Sequence, residues 1–190
     1  MKLYPISWLV AGVLFFSAAC TTDASKNEQT AASPQLPATK TLPITIEGST
    51  ESITTNLYQS PADYPLQFHT YIPENFTTGR EKSGEADILL FQMGDATLKL
   101  MTFSTLINQT MAIGLVKSMI QAEGTLVEDK VNGQIIYRLD GDPEKSMMAE
   151  VGERNKHAYV WWREYPHEYG DGFAPRVGLI LANTIWPSRK

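Results

Sequence analysis

The chain is poor in the groups that make covalent and metal chemistry. Its single cysteine, Cys20, excludes an internal disulfide and a zinc site built from thiolates. Basic residues are in deficit, with 16 Lys and Arg against 21 Asp and Glu. That balance excludes a protein that tracks the phosphates of a nucleic acid. No apolar run approaches the roughly 20 residues of a membrane-spanning helix. There is no Gly-x-Ser-x-Gly elbow, phosphate-binding loop, dinucleotide fingerprint or His-Glu-x-x-His pair. Intrinsic disorder of the whole chain is excluded too, because 43% of residues are apolar and only 19% are charged. A length of 190 residues suits one globular unit beside an export segment.

The start of the chain has a different composition from the rest. Lys2 is its only charge before Asp23, and it precedes the apolar run Ile6-Ser7-Trp8-Leu9-Val10-Ala11-Gly12-Val13-Leu14-Phe15-Phe16. A positive n-region before an h-region of this length reads as an export signal over residues 1–19. Ser17-Ala18-Ala19-Cys20 resembles the lipobox of bacterial lipoproteins, whose cysteine is diacylated and becomes the mature N-terminus. Ser17 departs from that pattern, which usually carries Leu, Val or Ile there. The alternative is conventional cleavage after Ala19, leaving Cys20 as an exposed thiol. The resemblance implies a chain held at the bacterial cell membrane, on its extracytoplasmic side, by lipid on Cys20. Lipid is needed because the remaining surface is acidic and anionic headgroups repel it.

Residues 20–41 then contain almost no large apolar side chain, and such a stretch cannot bury enough surface to offset its ordering entropy. They read as a tether with a span of roughly 25 Å. A single domain is expected over residues 42–190, with no internal repeat.

Within that domain the apolar period alternates between two and four. Ile44 and Ile46, then Ile53, Thr55 and Leu57, alternate with polar neighbours around Gly48, as strands do. Residues 66–70 give a further strand, and residues 86–93 and 96–103 form a hairpin across Gly94-Asp95. Ile107, Met111, Leu115 and Met119, widened by Val116 and Ile120, predict a helix whose face lies on a sheet, with Gly124 after its last turn. Turns at Asn132-Gly133, at 140–143 and at 152–155 separate strands at 126–131, 134–139, 147–151 and 157–163, an antiparallel meander. Pro175 predicts the start of a terminal helix ending near Trp186-Pro187. The fold class is therefore α+β: an antiparallel sheet with one mid-chain helix and one C-terminal helix packed on it.

The phrase Leu66-Gln67-Phe68-His69-Thr70-Tyr71-Ile72-Pro73-Glu74-Asn75-Phe76, with this element order, resembles the Mog1/PsbP-like fold. Its members commonly open with an aromatic-rich strand running into a Pro-x-x-aromatic turn and close with a helix. The resemblance covers about residues 66–186, and the strands before it are an addition. It implies a binding or assembly factor, although a fold alone supplies no function.

Unusual residues are densest from His157 to Asp171. On a strand, Tyr159, Trp161 and Arg163 face one way and Val160, Trp162 and Glu164 the other. One tryptophan is expected in the core and its neighbour in the open. Trp161, Trp162, Arg163, Tyr165, His167 and Tyr169 are then candidates for a recognition surface, because Trp, Tyr and Arg dominate binding hot spots. Aromatic faces also suit sugar rings. His157, His167, Glu168 and Asp171 are acceptable ligands for a metal or a catalytic water, although their spacing matches no established motif. Asp140, Asp142 and Glu144 are explained by turn chemistry, and the methionines Met111, Met119, Met147 and Met148 by core positions.

The expected function is a lipid-anchored, extracytoplasmic binding or assembly module of the bacterial cell envelope, without cofactor, metal or catalysis. It meets the membrane through lipid on Cys20, meets an envelope protein or wall polymer through its aromatic surface, and binds no nucleic acid. The alternative is a metal-dependent envelope hydrolase using His157, His167, Glu168 and Asp171.

Overall fold

The described residues form ten strands and two α-helices, all but one of the strands foreshadowed by these periodicities. The computed structural model describes residues 36–131, 134–142 and 144–187. The expected signal, Cys20 and most of the expected tether lie outside the described residues, as do Asn132, Gly133 and Pro143 of the expected turns. The elements are β1 (Thr39–Ile46), β2 (Ser49–Gln59), β3 (His69–Pro73), β4 (Thr77–Ser83), β5 (Ala86–Met93), β6 (Ala96–Phe103), α1 (Gln109–Glu123), β7 (Thr125–Val131), β8 (Gln134–Asp140), β9 (Lys145–Arg154), β10 (His157–Pro166) and α2 (Gly170–Ala182). A short 3-10 turn, His167–Tyr169, joins β10 to α2. The α+β class holds, with every named strand pair antiparallel.

The strands form two sheets, where the sequence led us to expect one. β1-β2-β3 make a three-stranded sheet, and a seven-stranded sheet runs β4-β5-β6-β10-β9-β8-β7. β4 was not expected at all. Its sequence, Thr-Thr-Gly-Arg-Glu-Lys-Ser, is mostly exposed at the sheet edge and carries no apolar alternation to betray it. β1 begins at Thr39, ahead of the boundary expected at Leu42. Residues before it are also engaged, since Ala38 accepts a hydrogen bond from the Leu57 amide at 2.8 Å and Pro37 from the Tyr71 hydroxyl at 3.0 Å.

The seven-stranded sheet is covered on both faces. α1 lies across β7 to β10 on one face, enclosing Ile88, Met101, Val116, Ile120, Tyr137, Val160 and Trp162. On the other face, Leu66, Phe68, Phe91, Leu98, Trp161, Phe173, Val177 and Ile180 form a second core, with α2 set against β1, β3 and β10. α2 is fixed by buried Thr70, whose hydroxyl donates to the Ile180 carbonyl at 2.7 Å.

Both helices depart in part from the sequence reading, α1 in which side of its apolar face is buried and α2 in where it starts. α1 buries Ala112, Val116 and Ile120, whereas Met111, Leu115 and Met119 are 52%, 44% and 46% exposed. The small Ala112 lets the helix approach the sheet, and the larger stripe is turned aside. α1 does start as capping chemistry requires, with the Asn108 side chain accepting from the Met111 amide at 3.0 Å. α2 begins at Gly170, so Pro175 sits inside the helix and not at its first position.

Candidate functional site

β10 is the strand on which most of the candidates lie, and its two faces decide their fate. Trp161 and Trp162 point to opposite sides as expected, yet both are buried, at 6% and 2% exposure. The expectation of one open tryptophan is corrected, because a layer covers each face of this sheet. Trp162 packs under α1 and its indole N–H donates to Glu164 at 3.4 Å. Trp161 packs against Phe68 and Phe91, with ring centroids 6.2 and 6.3 Å apart.

Arg163 is spent within the sheet. It forms a close ion pair with Glu150 on β9, and its Nε is buried without a partner among the described residues. Tyr165 packs on Phe173 at 5.2 Å. Tyr169 lies over Gly94, where a Cβ would come within 2.6 Å of its hydroxyl. His167 is exposed, and its Nε2 donates to the Asp142 carbonyl at 2.8 Å. That bond fixes the tautomer, leaving Nδ1 to accept from the Ser146 hydroxyl at 3.3 Å. Asp142 itself accepts from the Glu144 and Lys145 amides at 2.8 and 3.0 Å, and these bonds hold its carboxyl below the usual range. The His167 end of β10 is thus a braced turn.

His157 stands at the other end of the same strand, where its Nδ1 donates to the Phe103 carbonyl at 3.1 Å. At about 3.3 Å per residue, a ten-residue strand puts the two histidines roughly 30 Å apart. His157 therefore shares no site with His167, Glu168 and Asp171, and the hydrolase constellation is withdrawn on that ground. Asp140 is paired to Arg138 at 2.7 Å, as a turn residue and not a ligand.

The structure does open a concavity that the sequence did not announce. β8 pairs with β9 only from Ile136 opposite Glu150 to Arg138 opposite Met148. Beyond Glu150 the two strands part, and the seam becomes a cleft of about 610 Å³. Gln109, Ile113, Gln134 and Ile135 form one side, Glu150 to Glu153 the β9 wall, and Tyr159, Trp161 and Trp186 the aromatic side. Of the expected recognition residues, only Trp161 reaches it.

Trp186 arrives there by a tertiary device. The chain after α2 forms an antiparallel bridge with β3: the His69 amide donates to Ile185 at 3.1 Å, and the Ile185 amide to His69 at 2.8 Å. Trp186 is thereby set between Phe68 at 5.2 Å and Tyr159 at 5.6 Å, with the Arg154 guanidinium 5.3 Å from its ring. Gly152 makes room for this wall, because a Cβ there would lie 2.4 Å from the Tyr159 ring. Burial pushes the Tyr159 phenol up, against a smaller downward pull from Arg154, so it remains a hydrogen-bond donor at neutral pH.

Among the described residues no helix is long and apolar enough to cross a membrane, and no cluster of three metal-ligating side chains is found. No family model and no curated protein matches the chain. Among solved structures it is similar to the solution structure of cyanobacterial PsbP (CyanoP) from Synechocystis sp. PCC 6803, at 14% identity and a TM-score of 0.45, over 70% of this chain and 92% of that one.

Proposed function

We infer that this protein is a non-catalytic binding or assembly module, held by lipid on Cys20 at the extracytoplasmic face of a bacterial cell membrane. The observation that carries the binding half of this reading is the cleft at the parting of β8 and β9. It is concave, rimmed by half-exposed Ile135 and walled by aromatic side chains, the type of setting in which binding energy concentrates. The anchoring half rests on the sequence around Ser17-Ala18-Ala19-Cys20.

Two measurements test the two halves. Cys20→Ala should abolish fatty-acid labelling and release the protein from the membrane fraction, since an acidic domain without lipid has little affinity for the bilayer. Retention of the processed variant on membranes would refute the anchor. A photo-crosslinking side chain placed at Gln134 should capture one discrete envelope component in intact cells, and the same group at Glu81 on the far sheet edge should not. Equal capture from both positions would remove the cleft as the binding site.

A further inference from the structure

We propose that the cleft takes a short, extended, basic peptide segment of an envelope protein, which adds as a strand beside the end of β9; this rests on the binding-module reading above. The first support is the backbone. Asn155 and Lys156, with φ of 53° and 66°, make a two-residue turn between Arg154 and His157, so those two residues exchange narrow-pair hydrogen bonds. By alternation Val151 and Glu153 direct their backbone groups away from β10. β8 pairing stops at Glu150, so Glu153 faces no strand on that side among the described residues. The Val151 carbonyl accepts from the Gln109 side-chain amide at a long 3.4 Å. An extended chain is the ligand that satisfies such groups in sequence.

Charge supplies the second support. Two carboxylates, Glu150 and Glu153, line the cleft, and among the described residues no cationic side chain does, Arg154 lying on Trp186 at its rim. Glu150 is matched by Arg163, whereas Glu153 is exposed and forms no ion pair among the described residues. A lysine or arginine on the incoming strand fits there. Alternation then sends its neighbouring side chains to the opposite face, beside Tyr159 and Trp186, where apolar groups are suited. A sugar polymer is disfavoured by the same geometry, because Trp186 is already flanked by Phe68 and Tyr159 and has the Arg154 guanidinium over its ring.

The test uses the full chain in detergent and a blocked seven-residue peptide alternating Val and Lys. A second peptide has alternate backbone nitrogens methylated, and a third carries Glu in place of Lys. Addition of the first should slow hydrogen exchange of the Glu153 amide at least about tenfold, as a new strand hydrogen bond does. Glu153→Gln should weaken its binding by roughly tenfold. The methylated and acidic peptides should do neither. Unchanged exchange at Glu153, or equal protection by the methylated peptide, overturns strand addition. If exchange stays unchanged while Gln134 still crosslinks one envelope component, the binding-module reading survives and the strand proposal alone falls.

Discussion

Truncating the adjacent tryptophans Trp161 and Trp162 one at a time asks whether both faces of the seven-stranded sheet are sealed. A tryptophan buries about 200 Å² of surface, which at roughly 25 cal/mol per Å² is worth about 5 kcal/mol as an upper estimate. Core truncations of this size cost about 3–5 kcal/mol. With exposures of 6% and 2%, both Trp161→Ala and Trp162→Ala belong in that range. For a chain of this length that is a fall in Tm of roughly 6–20 °C. Urea unfolding of the two variants beside the parent protein measures it, provided the slope of the transition is unchanged. A variant within about 1 kcal/mol of the parent would show its face to be open to water, and the two-layer covering described above would be wrong on that side.

Three further outcomes follow from the packing. Ile120→Ala should cost about 2–5 kcal/mol, whereas Met111→Gln and Leu115→Gln should each change stability by under about 0.5 kcal/mol; the reverse order in urea unfolding would put the Met111, Leu115 and Met119 stripe in the core instead. Gly152→Ala should destabilise by about 1–3 kcal/mol by driving a methyl group into the Tyr159 ring. That penalty should largely vanish in a Tyr159→Ala background, so additivity in the double-mutant cycle would refute the contact. Asp142 has its pKa lowered by backbone amides, so its charge contributes stability above the usual carboxylate range and loses it as pH falls through the lowered value. The stability advantage of the parent over Asp142→Asn should be full at pH 7 and shrink with acidification, and a gap that widens in acid would contradict the assignment.

Hairpins were the most legible part of this fold. Glu47-Gly48 and Gly94-Asp95 stand between alternating strands, and Glu47, Gly48 and Gly94 all adopt positive φ; local chemistry decides such turns. α1 was legible in extent and in part of its face. Val116 and Ile120, read as widening the stripe, are its buried centre, whereas Met111, Leu115 and Met119 form an exposed edge and small Ala112, which nothing in its size marks, is buried. β4 escaped because a mostly exposed edge strand needs no apolar alternation. The cleft escaped for a deeper reason: it is made by pairing that stops, and no residue type marks where β8 leaves β9. Trp186 was read only as the end of a helix, although a large aromatic placed past that end and before Pro187 signals a partner elsewhere in the chain.

The bond from Thr70 to Ile180 and the bridge from His69 to Ile185 also set the order in which this chain acquires its structure. Partners separated by 110 residues carry a large loop-closure entropy, and contacts of that range form slowly. In the meander β7 to β10, strands consecutive in the chain pair with each other, so their loop-closure cost is small by comparison and they pair early. The core that holds Leu66, Phe68 and Phe91 has to wait for Phe173, Val177 and Ile180, so a nascent chain stopped before Gly170 carries that apolar surface uncovered. Late docking of α2 would therefore complete both the second core and the aromatic wall of the cleft, and a chain that has not finished folding would lack the surface on which the proposed binding rests.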